Sequence, residues 1–211
     1  MANRYQSNDL ILYIEALFVA AGMDADKSAI VAPLLVEADL MGHTTHGIAQ
    51  APAYLSGLEN GLMKGTGDHL VVADRGATIT WDGQRISGVW LTAKAIDLAV
   101  ERSQKYGTAT IAIRRSGHIA CLAAFLSRAT EKGCMIELAS SDPSIVSVAP
   151  YGGTKPAFTP NPIAVGIPTS DNPILIDISA SITTNGLTGR LFSEGKKLPG
   201  YWVQDKFGQS S

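Results

Sequence analysis

A change of hydrophobic period part-way along the chain limits what it can fold into. Up to about residue 62 apolar residues recur every three or four positions, as on the buried stripe of a helix. From about residue 67 short apolar runs bounded by Gly, Pro or Asp alternate with stretches of helical spacing. A chain of this pattern cannot be an all-helical bundle or an all-β sandwich. It calls for an α/β layer structure preceded by helices.

Ser7-Asn8-Asp9 offers caps to LILYIEALFVAAG, which Gly22 ends, and Asp24-Ala25-Asp26 opens a second helix in which Ile30, Leu34, Ala38 and Val31, Leu35 share helical spacing. Pro33 belongs early in that helix or kinks it. IAQAPAYLSGLENG reads as a third helix, closed by Asn60-Gly61. HLVVADRGATITWDGQ reads as a hairpin turning at Asp74-Arg75-Gly76, with a further turn at Asp82-Gly83. Val89 to Tyr106 returns to helical spacing, and TATIAIR follows as a buried strand. Ser116 to Lys132 is expected to be a helix, and CMIELA, PIAVGIP and ILIDIS are expected to be strands. GKKLPGYWVQDKFGQSS loses the period and reads as a loop. The expected organisation is a helical region over 1–66, an α/β region over 67–190 and a loop or truncated tail over 191–211.

With 211 residues, 45% hydrophobic and 17% charged, the chain has the means for a buried core. A net charge of -2 argues against a phosphate-binding face for nucleic acid. No apolar run reaches the roughly 18–20 residues of a membrane span, so no membrane partner is expected. MANRYQSNDL lacks an apolar signal-peptide core, and Cys121 and Cys134 do not make a disulfide framework; buried, reduced thiols and a cytoplasmic location are expected.

G-x-G-x-x-G, Walker A, G-x-S-x-G, H-E-x-x-H and paired C-x-x-C are all absent. Chemistry-bearing residues gather instead in three places. The first, Asp39-Leu40-Met41-Gly42-His43-Thr44-Thr45-His46-Gly47, stands where an apolar helix ends. Its histidines suit a helix C-terminal cap, proton transfer at neutral pH, or a metal site of Asp39, His43 and His46. The second, Arg114-Arg115-Ser116-Gly117-His118, falls between a strand and the expected helix, where it either holds an anion or is a Ser116 cap with solvated arginines. The third is Asp177 inside ILIDIS, a carboxylate that must find a donor, cap the segment after it, or serve a site.

Four stretches together, GHTTHGI at 42–48, SGHIACLAAF at 116–125, FTPNPIAVGIPT at 158–169 and ILIDISAS at 174–181, resemble the malate/L-lactate dehydrogenase-like family of NAD(P)-dependent reductases, the type without a Rossmann fold. The resemblance implies a mixed-sheet α/β/α sandwich with a helical N-terminal region, and a homodimer. It implies hydride transfer between NAD or NADP and a small 2-keto, 2-hydroxy or cyclic imino acid. It makes His46 the proton donor with Asp177 as its catalytic partner, assigns substrate contacts to Thr45, Gln50 and Thr159, and leaves the protein without a metal. Cofactor contacts fall to His118, Pro173, Ile174, Leu175, Ile176, Asp177, Ile178 and Ser179. Two positions depart from the family pattern: Gln50 stands where many members have a carboxylate-gripping arginine, and Ile119-Ala120-Cys121 stand where glycine is usual. The resemblance runs along the whole chain but only along the N-terminal part of a typical member. A truncated, silent subunit module is therefore one alternative, and a metal-dependent hydrolase built on Asp39, His43 and His46 is the other.

Overall fold

A computed structural model describes residues 4–209. Helices α1 (Ser7–Ala20) and α2 (Ala25–Leu40) form an antiparallel pair, locked by the buried Ser28 hydroxyl donating to the Glu15 carbonyl at 2.8 Å. α2 passes through Pro33 without ending there. A 3-10 turn (Ile48–Gln50) leads into α3 (Ala51–Glu59). The hairpin follows as β1 (Leu70–Asp74) and β2 (Thr78–Asp82), then α4 (Gly88–Tyr106) and β3 (Thr110–Arg114). β1 and β2 pair antiparallel, and β2 pairs parallel with β3 through the α4 crossover. β4 (Ile136–Ala139), β5 (Ile163–Ile167) and β6 (Ile174–Ile178) make a second, antiparallel sheet.

The fold is thus of the mixed α/β class that the alternating period demands, with its strands divided between two small sheets among the described residues. One core joins the first three helices to α4 and to the segment after β3. Phe18, Val31, Leu35, Val89, Leu91 and Phe125 are its innermost side chains. Leu122, Leu126 and Ala164 seat the second sheet against that segment.

Three expectations change. The helix over Ser116–Lys132 shrinks to a 3-10 turn (Ala123–Phe125) and the single-turn α5 (Ser127–Thr130). Arg115 and Ala120 take left-handed φ of 52° and 56°, which a helix cannot contain. Gly117 also packs so closely on Gly88 that a Cβ there would overlap the Gly117 carbonyl. Cys121, still buried, consequently lies in a non-helical segment, and Cys134 is half-buried rather than buried; both are free thiols. Finally, the stretch beyond Asp177 is not all loop. Thr184 caps α6 (Asn185–Ser193), its hydroxyl accepting from the Leu187 N–H at 3.0 Å, and this helix crosses the 190/191 boundary. No described helix is long and apolar enough to cross a membrane.

Candidate active site

The turn after α2 is shaped by its own polar groups. Asp39 accepts the Ile48 N–H at 2.8 Å, and Gly47 lies so close to this carboxylate that any side chain at 47 would collide with it. The Gln50 amide donates to the Thr45 carbonyl at 2.7 Å, and the His46 N–H donates to the His43 carbonyl at 2.8 Å. This network presents the His46 ring, whose Nδ1 lies 2.9 Å from the Thr45 hydroxyl. It also disposes of the Asp39, His43, His46 metal set, because the Asp39 carboxylate is turned to the backbone of its own loop. Nor does Gln50 stand free: its amide N–H closes the turn.

His118 reaches the same place from the loop after β3. The Gly117 N–H donates to Ile86 at 3.1 Å and the Arg85 N–H to Arg115 at 2.8 Å, so the loop is stitched to the turn before α4. Its ring stacks on His46 with centroids 5.7 Å apart and planes 29° from parallel. Tyr54 of α3, almost fully buried, has its hydroxyl 2.8 Å from His118 Nδ1, and the Ala120 N–H donates to the same nitrogen at 3.2 Å. A nitrogen that receives a backbone N–H carries no proton, so the neutral ring bears its hydrogen on Nε2. Burial keeps the Tyr54 phenol protonated by pushing its pKa up.

Asp177 enters from β6, where its Oδ2 accepts the Ala123 N–H at 2.9 Å and faces Cys121 Sγ at 3.7 Å. It therefore caps a turn of a distant segment rather than the residues after it. Burial lowers the His46 pKa from its ordinary value, the Asp177 charge opposes that fall, and His43 adds to it. Desolvation, reinforced by His46 and only partly opposed by the Asp142 charge, pushes His118 down to about 4, so at neutral pH its ring is uncharged. Burial also raises the Cys121 thiol to about 11, which keeps it protonated.

Of the other expected residues, Pro173 and Ile174 to Ser179 run along β6 and its ends, but the pleat separates them. Leu175 and Asp177 face inward, while Ile174, Ile176 and Ile178 line the opposite, exposed face. Ser179 donates to the Ser181 carbonyl at 3.1 Å. Thr159 is half-buried before β5, and no side-chain hydrogen bond among the described residues ties it to the imidazole pair. Arg114 and Arg115 do not form an anion site: both pair with the buried Asp82, at 3.2 and 2.6 Å. Hydrogen bonds from Arg115 above all hold that carboxyl down at about 2.

Three residues at the site or in a loop tied to it carried no distinct sequence signal. Tyr54 reads as one more apolar position of α3. Asn161, between two prolines, takes a left-handed φ of 44° and buries an Oδ1 without a partner among the described residues. The Pro160 carbonyl beside it accepts the Ala180 N–H at 2.7 Å, which ties this loop to the segment after Asp177. Arg190 of α6 reaches the first loop, donating to the Thr44 hydroxyl at 3.1 Å.

Residues 5–211 match the family model described as malate/L-lactate dehydrogenase. Hydroxycarboxylate dehydrogenase B of Escherichia coli (strain K12) is 29% identical over 93% of this chain and 55% of its own length. A Delta(1)-pyrroline-2-carboxylate/Delta(1)-piperideine-2-carboxylate reductase of Pseudomonas syringae pv. tomato is 30% identical over 94% of the chain and 58% of its own length. Among solved structures, a dehydrogenase from Sinorhizobium meliloti superposes with a TM-score of 0.90 at 30% identity, covering 99% of this chain and 61% of that one. The chain therefore spans a little over half the length of the relatives it matches, and neither a hydrolase nor a silent module is among those named. The chain belongs to the malate/L-lactate dehydrogenase family.

Proposed function

We propose that this chain carries the acid–base half of an oxidoreductase that transfers hydride between a nicotinamide cofactor, NAD or NADP, and a small 2-keto, 2-hydroxy or cyclic imino acid. The observation that supports it most is the stacked pair of imidazoles brought together from two separate segments. His118 is held neutral, whereas His46 has Asp177 to support its charge.

In the reducing direction His46 is the imidazolium. Its Nδ1–H donates to the Thr45 hydroxyl, which leaves the Nε2–H to protonate the carbonyl oxygen or imine nitrogen of the substrate. In the oxidising direction the neutral ring takes that proton back at Nε2. Asp177 stabilises the charged ring through its negative charge.

The residues present fit a nicotinamide group. Asn161 Oδ1, a buried acceptor without a donor among the described residues, and the His118 Nε2–H donor are each able to pair with one end of a carboxamide. When bound, the cofactor supplies or accepts the hydride. The Arg190 guanidinium, seated on Thr44 beside the His46 loop, is the cation that would grip a substrate carboxylate in place of the arginine absent at position 50. In this reading the protein works in the cytoplasm, as a homodimer.

The test is oxidation of NADH or NADPH by the purified natural protein, run against a panel of 2-keto acids and cyclic imino acids. Turnover with at least one member of either class is the expected result. Absence of turnover, together with no binding of either nucleotide, would overturn the reading.

A further inference from the structure

Beside the acid–base pair stands a second constellation, of which the steps above use Asp177 alone. His43 from the turn after α2, Cys121 from the loop before the 3-10 turn and Asp177 from β6 each offer one ligating atom within 4.8 Å of the other two. The three come from separate elements, so their meeting is a product of the tertiary fold rather than of a local motif.

The geometry is close to that of a tetrahedral metal site. Bonds of about 2.3 Å to sulfur and about 2.0–2.1 Å to nitrogen and oxygen place neighbouring ligand atoms about 3.3–3.8 Å apart. The edge between Cys121 Sγ and Asp177 Oδ2, at 3.7 Å, already has this length. Closing the other two edges takes movements on the order of 1 Å. The partner that must move is His43, which is exposed, whereas Cys121 is buried and Asp177 is anchored by the Ala123 N–H. A thiolate, an imidazole and a carboxylate form a borderline-soft donor set that favours zinc-class ions over magnesium or calcium. Three protein ligands leave a fourth position for water.

We propose that His43, Cys121 and Asp177 form a binding site for a zinc-class divalent cation. On binding, the Cys121 S–H bond breaks, its proton passes to solvent, and a sulfur–metal bond replaces it. The site shares Asp177 with the acid–base machinery, so an ion held there withdraws the carboxylate that favours the charged form of His46. Occupied and active states are therefore mutually exclusive, a consequence that rests on the dehydrogenase reading, whereas the binding itself does not.

Cobalt titration of the metal-free natural protein tests the site directly. The expected result is one Co2+ per chain with a near-ultraviolet thiolate charge-transfer band and tetrahedral visible bands, all lost when Zn2+ is added. Cys121→Ala should abolish the charge-transfer band and weaken Zn2+ binding, measured against a chromophoric chelator, by about 100-fold or more. His43→Gln, a surface change that leaves the core untouched, should weaken it by about tenfold or more, and Cys134→Ala should change neither readout. A thiolate band that is absent from the wild type, or that survives in Cys121→Ala and vanishes in Cys134→Ala, would overturn the assignment. So would unchanged affinity in His43→Gln. Every readout is optical and independent of turnover, so failure of this proposal and failure of the dehydrogenase reading are told apart.

Discussion

The His46 and His118 rings stack 5.7 Å apart, one delivered by the turn after α2 and the other by the loop after β3. Two imidazolium charges at that distance oppose each other, and at His118 desolvation and the His46 charge outweigh the opposing charge of Asp142. At neutral pH the His118 ring is therefore uncharged, while the Asp177 charge opposes the fall of the His46 pKa.

Removing that ring gives the first prediction. His46→Ala should lower turnover by about 100-fold or more, the usual worth of general acid–base catalysis, with nucleotide affinity largely retained. Steady-state kinetics and a fluorescence titration with NADH and NADPH measure the two quantities separately, and near-normal turnover would remove His46 from the mechanism.

Acid should destabilise the protein in a window set by His118. Its folded pKa of about 4 lies below the ordinary 6.5, so between these values the unfolded chain binds more protons and stability rises with pH. The contribution is whole above about pH 6.5 and is lost as pH falls toward 4. Asp82, held at about 2, loses its contribution only below the ordinary carboxylate range, so the two windows do not overlap. Urea unfolding of wild type and His118→Gln across pH 4–7 should give a difference that slopes through this window; a flat difference would contradict the assignment.

Gly88 and Gly189 should respond in opposite directions to the same substitution. Gly88→Ala forces its methyl group into the Gly117 backbone, next to His118, and should cost about 2–3 kcal/mol and lower activity as well. Gly189→Ala meets nothing within 4 Å in the middle of α6 and should stabilise by up to about 1 kcal/mol through helix propensity. Thermal or urea melts decide both; equal effects at the two positions would contradict the close approach of Gly88 to Gly117.

Arg190→Ala should raise the KM of a carboxylate substrate by about tenfold or more while changing kcat far less, and Arg190→Lys should recover part of the loss. An unchanged KM would overturn this substrate role for Arg190.

Much of this was legible in local pattern. The hairpin turn at Asp74-Arg75-Gly76, α4 with its Gly107 stop and the three strands of the second sheet follow from hydrophobic period and turn chemistry. The segment 116–122 was not legible, because its small apolar residues have a helix-like spacing while contact with Gly88 and two left-handed residues decide otherwise. Arg114 and Arg115 look free in sequence and are spent on Asp82; Gln50 looks available and closes a turn.

By itself the sequence determined the helices and strands outside 116–132 and 185–193, and that His46 stands at the close of an apolar helix. Period, capping and turn preferences act over a few residues, so they can be read along the chain. Only the tertiary structure decided that His46, His118, Tyr54 and Asp177 meet, that His118 is neutral with its proton on Nε2, and that Cys121 faces Asp177. Desolvation and hydrogen bonding depend on partners from distant segments, and those partners exist only once the core has brought α2, α3, the loop after β3 and β6 together.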